Sequence, residues 1–173
     1  MLRSPGGHAD VPAPASGLRM RLIARDVASR PSAWQHLVRM DPVARWHLRL
    51  CGEADYDVWL ESWLPGQGTG WHDHGGSAGV MVVARGELEE RIPVLGGLVT
   101  QVRHIPEGHV RPLRRRQVHE LANVSLAPAL SVHVHSPPLE ATRGYVISPR
   151  GLRRAPGPGM PLSDQAAATR LSL

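Results

Sequence analysis

The stretch GQGTGWHDHGGSAGVMVVARG, residues 66–86, places two histidines two positions apart. Residues i and i+2 of an extended strand point to the same face, so the imidazoles of His72 and His74 can reach one metal ion. Glycines flank the pair on both sides and leave room for an ion and a small ligand. The stretch therefore predicts half of a metal site in a small β-barrel.

Length and composition favour one β-rich domain. The chain has 173 residues, with 18 glycines and 16 prolines between short apolar segments, a composition typical of strands joined by many turns. We find no apolar leader and no apolar run of about 18 residues, so we expect neither a signal peptide nor a membrane span. The single cysteine, Cys51, excludes an intramolecular disulfide and favours a cytoplasmic location.

The chain is basic, with a formal net charge of +5. Its arginines are scattered, apart from the run at 114–116 and a group at 150–154, and no nucleic-acid motif accompanies them. We therefore expect a solvated basic surface, and no nucleic-acid or membrane partner.

The two ends of the chain are rich in Pro, Gly, Ala and Ser. We expect residues 1–17 to form a disordered arm and residues 150–173 a loose tail, because neither segment can bury much apolar surface. Residues 18–149 form the predicted domain. It opens with two short helices, at 18–28 and 33–40, whose apolar residues follow helical spacing.

After the helices the pattern is that of short strands. We predict strands at residues 43–50, 56–64, 79–84, 87–93, 98–105, 117–122, 129–135 and 143–147. No crossover helices separate them, which predicts an all-β jelly-roll barrel with the helices packed on one side.

Two spacings resemble the cupin motifs. Gly66, His72, His74 and Gly86 stand at the spacing of the first motif, and the pattern His119-x3-Asn123 matches the end of the second. The resemblance implies a double-stranded β-helix barrel in which His72, His74 and His119 converge as metal ligands.

The glutamate of the first cupin motif is absent, because Gly79 stands at its position. The site then consists of three neutral imidazoles, which suit divalent iron, nickel, copper or zinc. Without a carboxylate the ion keeps its full charge, which favours an anionic ligand such as a thiolate. We expect Gly79 to open space for substrate beside the ion.

Four stretches are similar to those of bacterial thiol dioxygenases, of which cysteine dioxygenase is the best known. They are WLPGQ from residue 63, HDHGGSAG from residue 72, the His119-x3-Asn123 pair and PALSVHVHSPPL from residue 128. The resemblance implies an Fe(2+) enzyme that adds O2 to the sulfur of a small thiol, such as cysteine or 3-mercaptopropionate, to give a sulfinate.

Family members carry a Ser-x-His-x-Tyr run behind the metal, which here reads Ser131, His133 and His135. Period-two geometry puts these three side chains on one strand face, where the hydroxyl and imidazoles can orient groups at the metal. The family's tyrosine is His135 in this chain, so its hydrogen bonding would depend on pH near neutrality.

A carboxylate on the substrate needs a cation. The family's Tyr-x-Arg pair appears as His47 and Arg49, so the resemblance assigns Arg49 to the substrate carboxylate, with His47 beside it. Arg143 is the second candidate, since a guanidinium binds carboxylate through two hydrogen bonds.

Two other functions fit the same residues. One is a three-histidine cupin with another metal or a substrate that is not a thiol. The other is a cupin that binds metal or a small ligand without catalysis, and the replacement of two tyrosines by His47 and His135 is compatible with it. For all of these functions we expect a monomer or a weak homo-oligomer.

Overall fold

The computed structural model describes residues 13–156 and 160–161. These residues form two helices, α1 (Gly17–Ala28) and α2 (Pro31–Trp34), and a 3₁₀ turn at Gln35–Leu37. A second 3₁₀ turn at Leu95–Gly97 joins β5 to β6. The strands are β1 (His47–Gly52), β2 (Asp57–Trp63), β3 (His72–Asp73), β4 (Ala78–Arg85), β5 (Glu87–Val94), β6 (Val99–Pro106), β7 (Val110–Leu113), β8 (Glu120–Ala122), β9 (Ala129–Ser136), β10 (Ala141–Ser148), β11 (Gly151–Arg154) and β12 (Met160–Pro161).

The strands form antiparallel sheets. One sheet has five strands in the order β1-β2-β9-β4-β7, and another has three in the order β6-β5-β8. Strand β10 pairs with β11, β12 and β3. The prediction of an all-β cupin barrel with short N-terminal helices is confirmed.

Alternation along the five-stranded sheet separates two layers. The outward face of its central strands contributes Val58, Leu60, Val80 and Val132 to an apolar core shared with α1 and with Trp34. The inward face carries polar groups at the barrel mouth and a second apolar cluster around Trp63 deeper in the barrel. Helices therefore cover one side of the sheet, and the opposite side is free to build a site.

The first predicted helix is present, and the second is shorter than predicted. Ser16 caps α1, because its side chain accepts a hydrogen bond from the Arg19 amide at 3.2 Å. The predicted helix 33–40 ends in a 3₁₀ turn, and Val38 is already extended. Its apolar residues fit a helical face, but Pro42 lies close behind and limits how far a helix can continue.

Several strand boundaries differ from the prediction. The first strand begins at His47 instead of residue 43, and β8 begins at Glu120 instead of residue 117. Strand β7 was not predicted, because Pro112 interrupts its apolar pattern. A proline removes one ladder donor, and β7 lies at the edge of its sheet, where such a loss is tolerated.

The ends of the described chain are more ordered than predicted. Ala15, inside the predicted arm, is buried, and its amide donates to Ser136 Oγ at 2.7 Å. The predicted tail contains β11 and β12, and β11 pairs with β10. The rest of these predictions, residues 1–12, 157–159 and 162–173, lies outside the described residues. No helix in the described part has the length and apolar character needed to cross a membrane.

Candidate metal centre

Three imidazoles meet at the mouth of the barrel. One ring nitrogen from each of His72, His74 and His119 lies within 4.8 Å of the others, and all three residues are buried. The Nε2 atoms of His72 and His74 are 3.2 Å apart. Nitrogens bound at about 2.1 Å to one ion lie roughly 3 to 4 Å from one another, so the cluster has the size of a metal site.

Backbone pairing brings the two motifs together. The amides of His72 and His119 donate to each other's carbonyl oxygens, both at 2.9 Å, and form an isolated antiparallel bridge. On the other side, His72 and Asp73 pair with β10. The Asp73 carboxylate points away from the imidazoles, where it accepts hydrogen bonds from the Gly75 amide at 2.7 Å and from the Tyr145 hydroxyl at 2.5 Å.

The hydrogen bonds of the rings leave the nitrogens needed for a metal. His72 Nδ1 lies 3.0 Å from the Gly70 carbonyl, which can only accept, so Nδ1 carries the proton and Nε2 a lone pair. His119 Nδ1 contacts the Glu90 carboxylate at 3.1 Å, and its buried Nε2 has no hydrogen-bond partner among the described residues. The Nε2 lone pairs of His72 and His119, with His74 Nε2 3.2 Å from that of His72, fit a single divalent cation.

Burial keeps the ligand imidazoles uncharged. It lowers the pKa of His72 to about 3, and the nearby His119 adds to the effect. It also lowers the pKa of His74 well below the usual value, with the neighbouring His135 and His72 adding to the shift. Neutral imidazoles are the form that binds metal, so the two rings are ready as ligands at neutral pH.

A buried carboxylate stands behind the third ligand. Glu90, on β5, is fully buried; one oxygen contacts His119 Nδ1, and the other is paired with the Arg111 guanidinium. Burial alone would raise the pKa of Glu90, but the hydrogen bonds from His119 and Arg111 outweigh it and lower that pKa. Sequence reasoning missed both residues.

The Ser131 and His133 pair forms a second polar chain. Ser131 Oγ lies 2.8 Å from His133 Nε2 and accepts the indole N–H of Trp63 at 2.9 Å. Glu61 Oε2 is 3.6 Å from the same nitrogen, too far for a hydrogen bond, and Glu61 is paired with Arg45.

The pKa values of both His133 and Glu61 are lowered, for different reasons. Burial lowers the pKa of His133 to about 4, despite the opposing charge of Glu61. Burial also acts to raise the pKa of Glu61, but Arg45 and His133 outweigh it and lower that pKa to about 2. At neutral pH the His133 imidazole is therefore neutral and the Glu61 carboxylate beside it is ionised.

His135 takes the space beside Gly79. Its ring centroid is 4.9 Å from that of His74, and its Cδ2 is 3.0 Å from where a Gly79 Cβ would stand. The glycine therefore makes room for an imidazole, and the expected open space is filled. His135 Nδ1 is 3.5 Å from Asp57 Oδ1, and neither atom has a hydrogen-bond partner among the described residues.

His47 and Arg49 lie on the neighbouring strand β1. The His47 ring packs against Trp59 with centroids 5.8 Å apart, and both of its nitrogens are buried and unpaired among the residues that the structure describes. Arg49 is partly exposed, with its Nε 4.0 Å from Asp57 Oδ2. In the β1–β2 ladder His47 lies opposite Glu61, and only Arg49 approaches Asp57, the carboxylate beside His135.

A cavity of about 670 Å³ lies beside the site, and His74 is one of its lining residues. The loop at residues 75–77 and the side chains of Arg143 and Arg154 also line it. Arg143 is therefore closer to the path of an incoming ligand than Arg49, which does not line this cavity. Arg154 was not predicted, because it lies in the segment assigned to a loose tail.

The pattern of β5 carries a signal for the missed glutamate. Leu88 and Glu90 are two positions apart, so they point to the same face of the strand, and both are buried. A carboxylate on the apolar face of a predicted strand indicates a paired or functional group. Arg45 and Arg111 carry no comparable signal among 20 basic residues.

Comparison with known proteins points to one family. The family described as cysteine dioxygenase type I matches residues 18–148, which is most of the chain and contains the metal-binding histidines and the carboxylates behind them. A search of curated protein sequences finds no match.

Solved structures share the fold. TT1209 from Thermus thermophilus is 24% identical, with 60% of this chain and 93% of that chain aligned at a TM-score of 0.53. An uncharacterised Klebsiella pneumoniae protein with a double-stranded β-helix domain is 21% identical, over 71% and 94% of the two chains, with the same TM-score of 0.53. A cupin superfamily protein from Desulfitobacterium hafniense is 12% identical over 60% and 87%, with a TM-score of 0.50.

Proposed function

The chain belongs to the cysteine dioxygenase type I family, and from this premise we propose that it is an iron(II) thiol dioxygenase. In the proposed reaction a thiolate and O2 combine so that both oxygen atoms become bonded to sulfur, which gives a sulfinate. The single observation that carries the proposal is the cluster of three buried imidazoles, with no carboxylate among its ligands.

The metal would be held by His72, His74 and His119. Three neutral nitrogen donors fit ferrous iron, and they leave further coordination positions free for ligands. When bound, the iron supplies the one-electron chemistry that dioxygen needs to react with a thiolate. The protein would bind and orient the substrate, and the burial of all three histidines supports a site in which the ion has little contact with bulk water.

Charge balance supports a thiolate as the ligand. The three imidazoles bring no negative charge to a doubly charged ion, and the nearest carboxylate, Glu90, is turned toward His119 Nδ1 and Arg111. An anionic sulfur is therefore favoured over a neutral donor. The substrate loses its thiol proton on binding, and the proton leaves through the open cavity.

We assign the substrate carboxylate to the arginines around the site. Arg143 and Arg154 line the same cavity as His74, and a guanidinium pairs with carboxylate through two hydrogen bonds. Arg49, on the other side of His135, is the further candidate. Its positive charge is partly compensated by the nearby Asp57 carboxylate. A thiol that carries a carboxylate, such as cysteine or 3-mercaptopropionate, fits this arrangement.

His133 and His135 orient the groups at the metal. Ser131 holds His133 through the 2.8 Å contact with its Nε2. His135 stands beside His74 with two nitrogens unpaired among the described residues, so it can donate to substrate or to oxygen where the family has a tyrosine hydroxyl. Gly79 leaves room for the His135 ring, and His47 supports the site from β1, where it packs against Trp59.

The test is product analysis with labelled dioxygen. Protein stripped of metal is loaded with Fe(2+) under anaerobic conditions and then given ¹⁸O2 and a thiol. Cysteine and 3-mercaptopropionate carry a carboxylate, and cysteamine is a matched thiol that lacks one. We expect a sulfinate with two labelled oxygens from a carboxylate-bearing thiol, and at least about tenfold slower turnover of cysteamine, because the lost bidentate pair is worth roughly 1.5 to 3 kcal/mol.

Two outcomes would contradict the proposal. Fully iron-loaded protein that forms no sulfinate from any of the three thiols excludes the reaction. Equal turnover of cysteamine excludes the arginine assignment but leaves the reaction itself intact.

A further inference from the structure

Glu90 occupies an unusual position for a carboxylate. It has no exposed surface, and its two oxygens have different partners: one contacts Nδ1 of the metal-binding His119 at 3.1 Å, and the other is paired with Arg111. Burying an ionised group is costly unless it is paired and hydrogen-bonded. Both oxygens of Glu90 have a partner, so the carboxylate is held in a defined orientation.

The three residues come from different parts of the barrel. Glu90 lies on β5 of the three-stranded sheet, and Arg111 lies on β7 at the edge of the five-stranded sheet. His119 immediately precedes β8, which pairs with β5. The Arg111–Glu90–His119 chain therefore joins the two sheets directly behind the metal ligand.

We propose that Glu90 is a positioning residue for the metal centre, which orients His119 and keeps its Nε2 lone pair directed at the ion. Arg111 in turn holds the carboxylate in place. This inference rests on the metal centre of the proposed function and is independent of its thiol chemistry.

The hydrogen bond explains how the contact acts. A carboxylate can only accept, so the proton of His119 stays on Nδ1 and the lone pair on Nε2 faces the ion. The same contact stops the ring from rotating about its Cβ–Cγ bond. A carboxylate on the far nitrogen also makes the imidazole a better electron donor, and outer partners of this kind typically change metal affinity by about 10- to 100-fold.

Arg111 determines how the carboxylate can act. Because the Arg111–Glu90 pair is neutral as a whole, Glu90 influences the ion through the orientation and basicity of His119 and not through added net charge. Glu90 lies behind His119, so the coordination positions used by substrate stay free.

The test compares two glutamates of the same strand. Glu89, next to Glu90, pairs with Arg91 on the other face of β5 and is partly exposed. Metal-free wild type, Glu90→Gln and Glu89→Gln are titrated with Zn²⁺ against a chelator of known affinity. We expect Glu90→Gln to raise the Kd by about 10- to 100-fold, and Glu89→Gln to leave it within about threefold, since its charge is screened by solvent.

An NMR readout separates positioning from a purely structural ion pair. In Zn²⁺-loaded protein labelled with ¹⁵N-histidine, we expect a slowly exchanging His119 Nδ1–H proton far downfield, as for a hydrogen bond to a carboxylate. Glu90→Gln should shift this proton upfield, because an amide oxygen is a weaker acceptor. A structural ion pair alone would lower the unfolding temperature of the metal-free protein without changing the Kd.

The proposal is overturned if folded Glu90→Gln binds Zn²⁺ as tightly as wild type, or if both glutamate variants lose affinity equally. If Glu90→Gln does not fold, Arg111→Gln is the deciding variant. It leaves the Glu90–His119 contact in place but removes the ion pair that holds Glu90. A rise in Kd for Arg111→Gln supports the proposal, and an unchanged Kd contradicts it. Zinc affinity is measured without thiol or oxygen, so failure here differs from failure of the proposed reaction.

Discussion

At the residue scale, the inner face of the barrel pairs imidazoles with carboxylates from other parts of the chain. Each carboxylate lies 3.1 to 3.6 Å from a ring nitrogen, and each imidazole is buried. The pairs are His119 with Glu90, His133 with Glu61 and His135 with Asp57. The site thus has no acidic ligand, and each of the three carboxylates behind its rings also lies beside an arginine.

Gly79 provides the first prediction at this scale. An alanine Cβ there would lie 3.0 Å from His135 Cδ2 and 3.0 Å from the Val134 carbonyl oxygen, both tighter than ordinary contacts. We expect Gly79→Ala to displace the His135 ring and to cost about 1 to 3 kcal/mol of unfolding free energy, as overpacking of a core does. Urea unfolding of the metal-free protein measures the cost.

Gly76→Ala is the matched control. A Cβ at Gly76 meets no atom within 4 Å, so this variant should unfold within about 0.5 kcal/mol of wild type. Equal stability of the two alanine variants would show that His135 does not fill the space beside Gly79.

The depressed histidine pKa values predict how stability depends on pH. The pKa of His133 is about 4 and that of His72 about 3 in the folded protein, against about 6.5 when unfolded. Between these values the unfolded chain binds protons that the folded chain does not. The stability of the metal-free protein should therefore be complete above about pH 6.5 and fall as the pH decreases, by about 1.4 kcal/mol per unit for each such histidine.

Glu61 extends the decline to lower pH. Its folded pKa of about 2 lies below the usual value of 4.5, so the stability that it contributes is present above pH 4.5 and is lost as the pH falls toward 2. Urea unfolding at pH 7.5, 6 and 5 measures the upper part of the curve, where protonation of the histidines dominates. The unfolding free energy should decrease from each of these pH values to the next. A protein that is equally stable at pH 5 and 7.5 would contradict the assignment of neutral buried imidazoles.

Single residues differed in how well the sequence predicted them. His72 and His74 stood out, because their i, i+2 spacing in a glycine-rich stretch is a local pattern. Glu90 and Glu61 did not, because their partners are 29 and 72 positions away and the pairing exists only in the folded barrel. The orientation of Arg49 toward Asp57 depends likewise on a neighbouring strand.

At the element scale, α1 stabilises the barrel from outside. It packs on the face of β4 and β9 opposite the metal centre, and Met20, Ala24 and Val27 are buried there. Its first turn depends on the Ser16 cap, which accepts the Arg19 amide. The helix therefore affects stability and not the chemistry of the site.

Ser16→Ala tests this division. Loss of the cap should lower the unfolding free energy by about 0.5 to 2 kcal/mol, while zinc affinity stays at the wild-type value. Ser32→Ala, an exposed serine in α2, should change neither quantity. A change in zinc affinity for Ser16→Ala would show that the outer layer is coupled to the site.

Elements were predictable where their pattern was uniform. The hairpin of β5 and β6 and the apolar strand β9 follow period-two or continuous apolar patterns, and their predicted bounds lie close to the observed ones. Strand β7 was missed, because its few residues include a proline and its pairing partner β4 lies well before it in the chain. Short strands of this kind form because a neighbouring strand offers a free edge.

At the scale of the whole molecule, the barrel architecture was predictable and its ends were not. Short strands of alternating polarity, joined by turns and without crossover helices, are compatible with few all-β folds. The two spacings that resemble cupin motifs favoured the jelly-roll barrel among them. The segment after residue 149 reads as a loose tail by composition, yet β11 adds to β10 and carries Arg154 to the cavity. The composition of this segment gives no information on whether β10 has a free edge with which it can pair.

The central claim is that three neutral nitrogens bind one ion and leave a position free for sulfur. Its most direct test is titration of metal-free protein with Co²⁺, followed by addition of cysteine or 3-mercaptopropionate without oxygen. We predict one cobalt per chain and a new thiolate-to-cobalt charge-transfer band with the thiol, both lost in His74→Ala. A wild-type protein that binds no cobalt, or that shows no such band with either thiol, would contradict the account.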